Sequence, residues 1–108
     1  MRAIVAGPDE EGIADALEGE GVTVSRLDGV ITRPALEDAG IVDADLYVLT
    51  DVSQATSIPI VRDLTEIRTV VYARDSTPEF VKAQLDLAVD PRVAGPSIVA
   101  EELAGTAD

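Results

Sequence analysis

The sequence predicts a doubly wound α/β domain, a five-stranded parallel sheet with helices on both faces. Three observations carry that prediction. Short apolar, β-branched runs alternate with segments whose apolar residues recur at helical spacing. The central runs have no polar side, as strands covered on both faces require. Gly, Pro, Asp and Thr stand between the runs, where strands turn into helices.

The elements follow in order. Ala3-Ile4-Val5-Ala6 reads as a buried first strand ended by Gly7. Residues 8–20 carry Ile13, Ala16 and Leu17 at helical spacing, with Asp9 as N-cap and Gly19 or Gly21 as stop. Val22-Thr23-Val24-Ser25 is β-branched and alternating, a second strand. After the Asp28-Gly29 turn, Thr32-Arg33-Pro34 opens a short helix over 35–39 that Gly40 closes. Leu46-Tyr47-Val48-Leu49 is the third strand. Residues 50–57 read as a polar loop. A helix begun at Ser53 would carry Pro59 in its interior at a cost of about 3 kcal/mol, so the helix is expected to start near Ser57. Thr69-Val70-Val71-Tyr72-Ala73 is the fourth strand. Ser76-Thr77-Pro78-Glu79 has the pattern of a capping box and is expected to open a helix reaching Gln84. Leu87-Ala88-Val89 is a short fifth strand, and residues 96–103 form the last helix. The alternation implies βαβ units with right-handed crossovers.

At 108 residues the chain suits one domain, expected over residues 1–104 with 105–108 frayed. Cysteine and histidine are absent, which removes disulfides, thiolate nucleophiles and the commonest general base. No run approaches 18 apolar residues and Arg2 leads straight into the first strand, so neither a membrane span nor a signal peptide is expected. Asp and Glu number 21 against 8 Lys and Arg, a net charge of −13, and Lys82 is the only lysine. The acids are spread through a chain that is 46% hydrophobic, which indicates a folded domain with a carboxylate surface and not an acidic tail. Self-repulsion on that scale opposes compaction at low ionic strength. At about 1 M salt the Debye length falls to roughly 3 Å and most of the repulsion disappears. A salt-loaded cytoplasm of the halophilic archaeal kind accounts for both the excess acid and the scarce lysine. Nucleic acid and anionic membranes are poor partners for such a surface.

The stretch Ala35-Leu36-Glu37-Asp38-Ala39-Gly40-Ile41-Val42-Asp43-Ala44-Asp45-Leu46 resembles the N-terminal, NAD-binding Rossmann lobe of potassium-conductance regulators, the RCK or KTN domain of Trk-type uptake systems. There a helix ending in Ala-Gly, an Asp-Ala-Asp turn and the central strand follow in this order. Tyr72-Ala73-Arg74 resembles that family's strand-end arginine, and the helix opened by Pro96 its last helix. The interval between the second strand and the Ala-Gly helix is too short for the family's extra helix and strand. A Rossmann-like sheet without that outer strand has the order 2-1-3-4-5. The chain also resembles short proteins of halophilic archaea without assigned function, some labelled CTP synthase. It has no glutaminase cysteine or histidine and no Gly-Lys-Ser/Thr phosphate motif to match that label.

Candidate binding residues cluster where strands end. Gly7-Pro8-Asp9-Glu10-Glu11-Gly12 is a remnant of the dinucleotide fingerprint: Gly7 can make the turn and Gly12 can allow close packing, but Asp9 stands at the pyrophosphate glycine. A carboxylate 4 Å from a phosphate oxygen costs roughly 4 kcal/mol at an effective dielectric of 20, against about 0.3–1 kcal/mol offered by a helix N-terminus. Asp9 either faces a ligand or caps the helix and fills the anion position itself. Arg26 stands where a ribose-binding acid is usual, as an NADP-type phosphate holder or a solvated surface arginine, with Asp28 two residues on. Asp9, Asp51 and Asp75 are candidate Mg²⁺ ligands, which resembles the acidic pocket of response-regulator receivers. Asp90-Pro91 replaces the receiver Lys-Pro, and coincidence among 21 acids is the other reading. Thr50 and Ser53 offer hydroxyls at the same edge, or belong to a plain connector.

These residues predict a non-catalytic regulatory or ligand-sensing domain with a degenerate nucleotide-binding loop. The alternatives are a pseudo-receiver-like protein-interaction module and an NAD- or NADP-binding domain of a potassium-transport regulator. A ligand is expected over the ends of the first, third and fourth strands, framed by Gly7, Thr50, Ser53 and Arg74. No enzyme and no resident cofactor are expected, with NAD(P) or a nucleotide as the alternative. The partner is a small molecule or a protein, and the chain a cytoplasmic monomer or homodimer.

Overall fold

The computed structural model describes residues 1–105. Five strands, β1 (Arg2–Ala6), β2 (Thr23–Leu27), β3 (Leu46–Leu49), β4 (Arg68–Tyr72) and β5 (Leu87–Val89), form one sheet of order β2-β1-β3-β4-β5. Every pairing is parallel, with Val5 opposite both Arg26 and Val48, and Val48 opposite Val70. This is the expected doubly wound fold in the expected order.

Strand alternation divides the core into two layers. Ala3, Val5, Leu46, Val48, Val70 and Tyr72 face α1 (Ile13–Gly19) and α5 (Pro96–Gly105), which bring Ile13, Leu17, Val99 and Leu103. Ile4, Ala6, Tyr47, Leu49 and Val71 face α2 (Arg33–Asp38), α3 (Ser57–Leu64) and α4 (Glu79–Lys82), which bring Leu36, Ile58, Val61 and Val81. β1, β3 and β4 lie inside the sheet, and their apolar runs are buried on both faces. The edge strands β2 and β5 carry exposed residues, as their more polar or shorter sequences imply. Tyr47 is buried with its hydroxyl 2.8 Å from Ser57 Oγ, and burial pushes its phenol up to about 12.

Local chemistry explains most boundaries. Thr32 Oγ1 accepts from Ala35 N–H at 3.2 Å, and Pro34 sits in the first turn of α2. Pro59 falls in the first turn of α3, where its missing donor costs nothing. α1 ends in a Schellman turn: Gly21, at φ 87°, donates to the Glu18 carbonyl and Val22 to that of Leu17.

Four expectations are corrected. α1 begins at Ile13 with Gly12 as its N-cap and not just after Asp9, because Gly12 turns into the left-handed region immediately before it. The capping box at Ser76 does not form: α4 starts at Glu79 with Pro78 at its N-cap and no side-chain cap, and Glu79 pairs with Lys82 instead. Proline fixes an extended φ/ψ entry there, so the helix starts after it. Residues 50–57 contain a 3-10 turn, Val52–Gln54, because the Asp51 carboxylate holds Ser53 N–H at 3.0 Å. Gly105, expected to be frayed, is the last residue of α5, and 106–108 lie outside the described residues. Among the described residues no helix is long and apolar enough to cross a membrane.

Candidate functional site

A cleft of about 390 Å³ opens at the carboxyl ends of β1, β3 and β4. The winding reverses between β1 and β3, so the loops that follow them diverge there. Its walls are Pro8, Asp9, Glu10 and Glu11 after β1, Thr50 and Asp51 after β3, and Tyr72, Ala73, Arg74 and Asp75 at the end of β4. Pro91 adds a rim. Five of these eleven residues are carboxylates and one is a guanidinium. The cleft therefore favours groups less anionic than a pyrophosphate.

Several side chains there are engaged in ways that explain their positions. Both Asp9 oxygens accept from the start of α1, Oδ1 from Ile13 N–H at 2.8 Å and Oδ2 from Ala14 N–H at 3.0 Å. The carboxylate occupies the anion position at the helix N-terminus and balances its partial positive charge. Gly7, at φ 105°, makes the turn out of β1, but its open side faces inward: a Cβ there would lie 2.6 Å from Thr50 Oγ1 and 3.2 Å from Asp51 Cβ. Thr50 donates to the Pro8 carbonyl, with the Ala6 carbonyl also within reach at 3.2 Å. Ser53 Oγ donates to Asp51 Oδ1 at 2.7 Å.

Arg74 reaches across the cleft mouth to Glu11, with Nε and one terminal nitrogen at 3.1 and 2.8 Å from the same oxygen. Its side-chain partner is thus Glu11. Its backbone carbonyl accepts from Arg92 at 3.2 Å. Arg92 in turn grips both Asp90 oxygens with Nε and a terminal nitrogen, and its backbone N–H adds a further bond at 2.8 Å. Those bonds hold the Asp90 carboxyl down at about 2 and raise the Arg92 guanidinium. Tyr72 donates to the Ala94 carbonyl at 2.9 Å, and burial, with the nearby Glu11, Asp9 and Asp90 charges, raises its phenol.

Of the sequence candidates, the fold brings Asp9, Thr50, Asp51, Arg74 and Asp75 to one cleft. Gly7 and Ser53 support its wall from behind, and Gly12 serves as the turn before α1. Arg26 stands apart on β2, where Asp15 and Glu18 of α1 hold it at 2.8 and 3.0 Å. The Glu18 hydrogen bond is the main reason its guanidinium is raised. Asp9, Asp51 and Asp75 share the cleft without assembling a cation site: among the described residues no three acidic side chains come together as a metal-ligand group. Glu11 and Arg92 were not singled out from the sequence. Glu11 is one of three consecutive acids, and nothing but the fold tells which one meets Arg74.

Residues 3–103 match the model of DUF7126, a family of unknown function. No curated protein matches the sequence. The crystal structure of HP1043, an orphan response regulator of H. pylori, is similar with a TM-score of 0.68 at 14% identity, over 100% of this chain and 97% of that one. A yeast Spc42 trimeric coiled coil (amino acids 181–211) fused to another protein also has a TM-score of 0.68, at 17% identity, over 95% of this chain and 77% of that one. At such identities the likeness is one of fold, a receiver-like α/β domain.

Proposed function

The chain belongs to the DUF7126 family, whose function is unknown, and from its own geometry we propose that it is a non-catalytic regulatory domain whose nucleotide loop is closed by its own side chains. Asp9 carries this reading. Its carboxylate takes the two N–H groups that a pyrophosphate would need at the start of α1. Thr50 fills the hollow over Gly7 through which a ligand would approach the backbone. The non-catalytic reading is supported by Thr50, whose hydroxyl donates to a backbone carbonyl, and by Ser57, which is buried against Tyr47. The sequence holds no histidine or cysteine to activate any of them. A small ligand of the cleft would carry less negative charge than a dinucleotide. The setting that suits a charge of −13 is a salt-loaded cytoplasm.

The test is titration of NAD⁺, NADH and NADP⁺ in high salt. Affinity no tighter than about millimolar is expected, the level of −4 kcal/mol. Micromolar binding overturns the reading and restores the cofactor role that kinship with potassium-conductance regulators would imply.

The likeness to an orphan response regulator favours a second reading, a pseudo-receiver-like module that docks a protein through its helical faces. Phe80 of α4 and Ile98 of α5 are exposed apolar side chains on those faces. Amide chemical-shift mapping with nucleosides, nucleoside monophosphates and Mg²⁺ separates the two. Shifts clustered at residues 50–53 and at Arg74 support a ligand cleft, and shifts confined to the helical faces or the opposite strand ends favour the docking module.

A further inference from the structure

We draw no further inference here: the strongest candidate, the acidic cleft lined by Asp9, Glu10, Glu11, Asp51 and Asp75 at the carboxyl edge of the sheet, belongs to the site already described and is a carboxylate cluster with no second observation that points to a ligand.

Discussion

Gly7 joins two constraints in one residue, a φ of 105° and a side occupied by Thr50 and Asp51. Alanine there meets backbone strain of about 1–3 kcal/mol, with overpacking adding a similar amount. Gly7→Ala is therefore expected to lose about 2–6 kcal/mol in urea unfolding, and a loss under about 0.5 kcal/mol would show that the turn relaxes freely. Asp90 gives a pH-dependent counterpart. Its folded value lies at about 2, below the ordinary 3.8, so its contribution is complete above the ordinary value and is lost as pH falls through about 2. Carboxyl NMR titration of Arg92→Gln should move the Asp90 midpoint back toward 3.8. An unmoved midpoint would assign the depression to something other than the Arg92 side chain. The site was legible in part at this scale. Strand ends located Asp9, Thr50, Asp51, Arg74 and Asp75 because a parallel sheet brings such positions to one edge. Their partners were not legible, since pairing Arg74 with Glu11 spans 63 positions and depends on how two loops lean.

At the scale of elements, the strands could be read with little loss because burial on both faces leaves almost only apolar residues in their centres, Thr69 being the buried polar exception. Helix starts were less legible. A capping pattern at Ser76 competes with the geometry that Pro78 imposes, and the proline wins. Asp9 acts as a cap from four and five positions before the N–H groups it holds, because the turn at Gly12 folds the loop back over the helix. In Asp9→Ala, α1 loses both bonds, and a fall of about 0.5–2 kcal/mol is expected. Faster amide exchange at Ile13 and Ala14 should accompany it. Unchanged exchange at those two amides would mean that water or another side chain replaces the carboxylate at no cost.

The whole molecule combines a two-layer apolar core with a charge of −13. Exposed ion pairs such as Arg26 with Asp15 and Arg33 with Asp63 are screened by solvent and add little, and with 21 acids against 8 basic side chains most carboxylates have no cation of their own. Stability should then rise with ionic strength as the repulsion is screened. Circular dichroism from about 0.1 to 3 M KCl is expected to show increasing helix content or a rising midpoint, and a flat or falling profile would overturn the electrostatic account.

That dependence bears on the free margin of β5. In dilute buffer, like charges keep sheet margins of separate molecules apart. In concentrated salt the same charges act over roughly 3 Å, too short a range to prevent strand-to-strand adhesion. What opposes sheet-to-sheet joining under those conditions is local. β5 is only three residues long, and Asp90-Pro91 follows it at once, with Pro91 lacking the donor that a ladder would use. Shortness and the proline give an added strand little to pair with at this margin, at salt concentrations where charge no longer acts over the distance between strands.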